Sequence, residues 1–185
     1  MSERTDLIDA MNRHRNFLLV TADGLTDETA RTASTVSTLT IASLLKHVAD
    51  VEEQWMAFAE RGADANGEAG AYDPDIDWEA VDAEAATNDG DWSGGEWEDD
   101  RFTLTDEDTL EALRARLRAV GARTQAQLET ADLDLAHELP AAPWFEQGAR
   151  WSVRRVALHL LAEISQHAGH ADIIREAIDG QHTMG

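Results

Sequence analysis

The sequence predicts an all-α protein, a four-helix bundle with a long loop insertion between its second and third helices. Three observations carry this. Four segments repeat apolar residues at helical spacing, no strand-like alternation rivals them, and capping residues stand where the segments begin and end. The 185 residues fit a single domain, 1–185, and 43% of them are apolar, enough to bury a core.

The first helix is expected from Thr5 to about Thr21, with Leu7, Met11, His14 and Leu18 on one stripe and Phe17 beside it. The second, "TIASLLKHVADVEEQWMAFAE", is expected from Thr40 to Glu60. Its Ile41, Leu44, Val48, Val51, Trp55 and Phe58 form one apolar face behind Thr40 as the N-cap. A third should begin at Thr105, with acids in its first turn that suit the helix dipole, and reach about Thr130. The last opens after Trp151 with Ser152 as its cap, and ends near Ile178, before "DG".

Between the second and third helices, residues 62–104 read as an acidic loop insertion within the domain. From Gly62 to Asp100 it holds fourteen acids, no bases and three tryptophans (Trp78, Trp92 and Trp97). So many tryptophans argue against a disordered linker and for a loop pinned by its aromatics, with a short helix through "WEAVDAEAA". The connection from Ala131 to Arg150 is also read as a loop, with Pro140, Pro143, Trp144 and Phe145 available to pack over one end of the bundle.

The charge balance excludes some functions. Acids outnumber bases 37 to 15, a formal net charge of −22, so the surface should repel nucleic acid and anionic membranes alike. Only Lys46 is a lysine, and low lysine with abundant aspartate and alanine reads as a property of a GC-rich or salt-adapted host. There are no cysteines, so thiolate ligands, disulfides and a protein-borne sulfur nucleophile are excluded. The N-terminal residues lack a signal-peptide layout, and no apolar run approaches the roughly 20 residues that span a bilayer. The expectation is a cytoplasmic protein.

The chemistry concentrates in "HLLAEISQHAGH", from His159 to His170. With His159 at zero on a helical wheel, Glu163 falls at about 40°, His167 at about 80° and His170 at about 20°. All lie on the shoulder of the face formed by Val153, Val156, Leu160, Ile164, Ala168 and Ala171. His159 and His167 are about 12 Å apart along the axis, too far for one ion to prefer them over the Glu163 between them. Three pairs remain: His159/Glu163, Glu163/His167 and His167/His170. Each suits zinc, nickel or iron if another helix supplies a third ligand. His47, on the edge of the second helix's apolar face, is the candidate. Three ligands from two helices leave a position open for water or substrate, as in catalytic sites. The ordinary alternative is that these are boundary residues satisfied by their neighbours. It is the preferred reading for His14, on an amphipathic stripe, for His137, in a loop, and for His182, in a polar tail.

One acidic pattern is a decoy. "DGDWSGGEWEDD" places Asp89, Asp91, Ser93, Gly94 and Asp100 at EF-hand loop positions, but no convincing helix follows and no second hand pairs with it. "DPDIDWEAVDAE" matches the acidic spacing too, with Trp78 where glycine is needed. Calcium is not expected.

"LLKHVADVEEQW" together with "WSVRRVALHLLAEISQHAGHADIIREAIDG" resembles the DinB-like superfamily, in its actinobacterial-type branch. That branch is related to mycothiol-dependent maleylpyruvate isomerases and thiol S-transferases. The resemblance covers essentially the whole chain; the ending "HAGHADIIREAIDG" is its most specific part, and "GEWEDDRFTLTDEDTLEALRA" looks familial too. It implies a divalent metal held by one histidine of the second helix and two ligands four residues apart on the last. Carried over, these are His47, Glu163 and His167. His170 is then an outer neighbour or alternative ligand, and His159 and His170 are candidates for moving a proton. The resemblance further implies a low-molecular-weight thiol such as mycothiol as cofactor, which suits a chain without cysteine, and a small electrophile as substrate. A homodimer is the expected assembly. Two other readings compete: a metal-holding stress or ligand-binding protein without turnover, and a bundle with a vestigial site. The intact His47, Glu163 and His167 argue against the second.

Overall fold

The computed structural model describes residues 2–63, 65, 102–140 and 145–183. Its elements are α1 (Glu3–Thr21), a single-turn α2 (Asp27–Ala30), α3 (Ile41–Arg61), α4 (Leu110–Thr130), β1 (Ala136–Glu138), β2 (Arg150–Ser152) and α5 (Val153–Asp179). Helix α1 packs on α5 and α4, and α3 packs on α4 and α5, so the four long helices enclose one core. The bundle is thus the predicted all-α architecture. The acidic insertion assigned to 62–104 lies almost wholly outside the described residues, as do its tryptophans, its short helix and the calcium-like spacings.

Local sequence sets the helix ends. Ser2, Thr40, Thr109 and Ser152 are the N-caps of the long helices, each accepting a backbone N–H three residues on. At Thr40 the cap is reciprocal: the Thr40 N–H donates to the Ser43 hydroxyl (3.0 Å) while the Thr40 hydroxyl accepts from the Ser43 N–H (3.1 Å). Gly180, in the left-handed region at φ 77°, ends α5 where the sequence places its stop.

Two expectations need correction. Helix α4 starts at Leu110 and not at Thr105. The Asp108 carboxylate accepts from both the Thr105 N–H (2.7 Å) and its hydroxyl (2.9 Å), closing a separate turn, and the Leu110 N–H donates to Asp27 (2.5 Å). Asp108 therefore serves a turn before the helix, and Glu111 is the acid left in its first turn. The connection after α4 is not simply a loop either. β1 and β2 form an antiparallel hairpin pairing Ala136 with Ser152, His137 with Trp151 and Glu138 with Arg150. The residues leading into β1 satisfy the first turn of α5: the Val153 N–H donates to the Leu135 carbonyl (2.9 Å) and the Arg154 N–H to the Leu133 carbonyl (3.0 Å). Strands of three residues carry too little alternation to be legible beforehand.

Charged residues enter the core where the apolar pattern predicts none. Arg15, not His14, turns inward from α1, and its guanidinium donates to both oxygens of Glu52 on α3 (3.2 and 2.6 Å). Glu52 is fully buried and Arg15 nearly so. Gly121 on α4 makes the room, since a Cβ there would stand 2.6 Å from the Arg15 Nε. Two further arginines close helix ends: Arg175 donates to the Thr21 and Asp23 carbonyls (2.7 Å each) at the end of α1, and Arg4 to the Leu128 and Ala131 carbonyls at the end of α4.

Removing one partner of the buried pair strands the other charge, so Glu52→Ala should lose about 3–5 kcal/mol in urea unfolding. The double variant Arg15→Met/Glu52→Leu should recover most of that loss, because an apolar pair of similar volume leaves no orphaned charge.

Candidate metal centre

His47 lies two turns into α3 and is 5% exposed, its ring stacked on Phe102 at 3.9 Å between centroids and 11° between planes. From α5, His167 meets it edge to face at 4.7 Å. One turn back on α5, the Glu163 Oε2 lies 3.4 Å from the His167 Nε2. Among the described residues, His47, Glu163 and His167 form the group able to hold a metal ion, with one ligand atom from each lying within 4.8 Å of the others. The structure therefore brings together the three residues that the resemblance selects.

The other two histidines of "HLLAEISQHAGH" stand outside this group, one on each side. The His159 Nε2 is 3.9 Å from the Glu163 Oε1, too far for a hydrogen bond. Its ring is clamped edge-on by Trp55 (4.9 Å) and Trp151 (5.2 Å), which stack on each other at 4.8 Å. The His170 Nδ1 sits 3.4 Å from the His167 Nδ1, on the far side of that ring from Glu163. The residues that sequence reasoning missed are the ring supports, Phe102 and Trp151. Phe102 lies next to the acidic segment, distant in sequence from His47, and Trp151 reaches its place only through the hairpin. His14 packs on Phe17 and His137 on Phe58, both apart from the cluster, and His182 is exposed. A cavity of about 600 Å³ lined by Leu25, Asp27, Leu110, Arg114 and Arg118 shares no residue with the cluster.

Electrostatics keep the carboxylate of the cluster ionised. The hydrogen bond from His167 holds the Glu163 carboxyl below its ordinary range against the opposing effect of burial, and His159, His167 and His47 add to the lowering. Burial pushes the His159 imidazole below its ordinary 6.5, outweighing the attraction of Glu163. The sign follows from linkage. As pH falls through about 6.5, the unfolded chain takes up a proton that the folded His159 resists, so stability is lost on the acid side. Glu163 adds its own loss only at lower pH, as the acid range of its depressed pKa is reached. In metal-free protein, the fall in urea midpoint between neutrality and mild acid should therefore be smaller for His159→Gln than for the wild type.

The sequence matches no curated protein. A crystal structure titled as a conserved protein of a locus from Enterococcus faecalis superposes with a TM-score of 0.61. It shares 15% identity and covers 98% of this chain and 99% of its own, a likeness of fold alone. Among the described residues, no helix is long and apolar enough to cross a membrane. The family model of the mycothiol-S-transferases matches residues 6–180, nearly the whole chain including every residue of the cluster. The chain belongs to the mycothiol-S-transferase family, within the DinB-like bundles.

Proposed function

We propose that the protein is a metal-dependent S-transferase that joins a low-molecular-weight thiol, mycothiol in the first instance, to small electrophiles. The observation that carries this reading is the convergence of His47, Glu163 and His167 from two helices of a chain with no cysteine. Two imidazoles and one carboxylate fit a divalent ion such as zinc, nickel or iron, and leave room for an outside ligand. The bound ion would supply positive charge that lowers the pKa of a thiol.

The chain's own residues do the rest. Glu163, kept ionised by His167, contributes one negative charge to the site. His47 is fixed by its stack on Phe102, and His167 by its neighbours on α5. A cysteine-free chain leaves the cofactor as the source of sulfur. The thiol gives up its proton, a sulfur–carbon bond forms, and the electrophile loses a leaving group or takes a proton at the adjacent carbon. Isomerisation results when the thiol is expelled again after addition. A cytoplasmic location and a homodimeric assembly belong to the same reading, and light scattering decides the second.

Metal-loaded protein mixed with bacterial thiols and monochlorobimane should show thiol-dependent conjugation that falls to background in His47→Ala; equal rates in the two proteins would sink the enzyme reading. By elemental analysis, His47→Ala and His167→Ala should each lose bound metal. Full stoichiometry in both variants would show that the ligands are misassigned.

A further inference from the structure

We propose that His170 positions His167 for metal binding, accepting a hydrogen bond from the His167 Nδ1–H and so selecting the tautomer whose Nε2 lone pair faces Glu163. The inference rests on the metal site proposed above and deepens it. A ligating imidazole is neutral: one nitrogen offers its lone pair to the ion and the other carries the proton. In His167 the Nε2 is the nitrogen on the Glu163 side, at 3.4 Å from its Oε2; without an ion it carries the proton that hydrogen-bonds Glu163, and ligation moves the proton off that nitrogen. The proton then belongs on Nδ1, which lies 3.4 Å from the His170 Nδ1. That atom must accept, which places the His170 proton on its own Nε2.

The choice of partner has an electrostatic consequence. Metal-bound histidines usually donate their second N–H to a carboxylate or a carbonyl. A carboxylate at position 170 would add a second negative charge to a site that already contains Glu163. A divalent ion would then be fully neutralised and would pull less on a thiol proton. A neutral imidazole fixes the ring of His167 without that cost. The geometry is inexpensive, because residues three apart on a helix lie side by side, and α5 holds both. His159 supports no equal argument, since its Nε2 stands 3.9 Å from Glu163, beyond a hydrogen bond.

Zinc affinity, measured by competition with a chromophoric chelator, separates an acceptor from a space-filling residue. His170→Phe keeps the ring but removes the acceptor, and should weaken zinc binding about 10–100-fold. His170→Asn, with its Oδ1 close to the position of the lost Nδ1, should restore most of that loss. Long-range proton–nitrogen NMR of the zinc-loaded wild type should show His170 protonated on Nε2 and His167 on Nδ1, a readout independent of whether any variant folds. Wild-type affinity in His170→Phe, equal weakening in both variants, or a proton on the His170 Nδ1 would each overturn the proposal. A wild type that binds zinc no better than His47→Ala would instead bring down the metal site itself, and this proposal with it.

Discussion

Helix α3 is buried on two sides, and its burial is the constraint on which the rest of the structure depends. His47 and Glu52 are five residues apart, which puts them about 140° apart around the helix. Glu52 is held by Arg15 of α1 on one side, while His47 faces His167 of α5 on another. A helix fixed by polar contacts in two directions has little freedom to rotate or slide, because either motion would strand a buried charge or an imidazole. Rotation of α3 by one residue would carry His47 away from α5 and dissolve the cluster.

Arginine supplies much of the remaining polar architecture, and its planar fork explains why. Arg15 grips both oxygens of one carboxylate, and Arg175 joins two carbonyls at the end of α1 to the Asp179 carboxylate on its own helix. Arg116 connects α4 to Asp50 and Glu53 of α3. A lysine ammonium has donors enough for several acceptors but no planar fork to pair with both oxygens of a carboxylate. The preference for arginine over lysine therefore serves the fold. The strong negative charge has no comparable role among the described residues.

The site is built in layers. The three clustered groups come from α3 and α5, with Phe102 packed on both imidazoles; His159, held between Trp55 and Trp151, and His170 flank the α5 pair. The hairpin matters here because the residues leading into it close the first turn of α5 and its second strand delivers Trp151 to the clamp around His159. Fold and site are thus stabilised by the same contacts.

The sequence by itself determined the four long helices, the Thr40 and Ser152 caps, and the shared shoulder of His159, Glu163, His167 and His170, because period and capping are local properties written within a few residues. Its wheel left three ligand pairs open, and the resemblance selected among them. Only the tertiary structure decided that His47 faces His167, that His170 lies behind His167, that Arg15 rather than His14 turns inward, and that a hairpin precedes α5. Each of these joins residues far apart in the chain or sets the rotation of one helix against another. Periodicity fixes which residues share a face, but packing against a neighbour decides what that face meets.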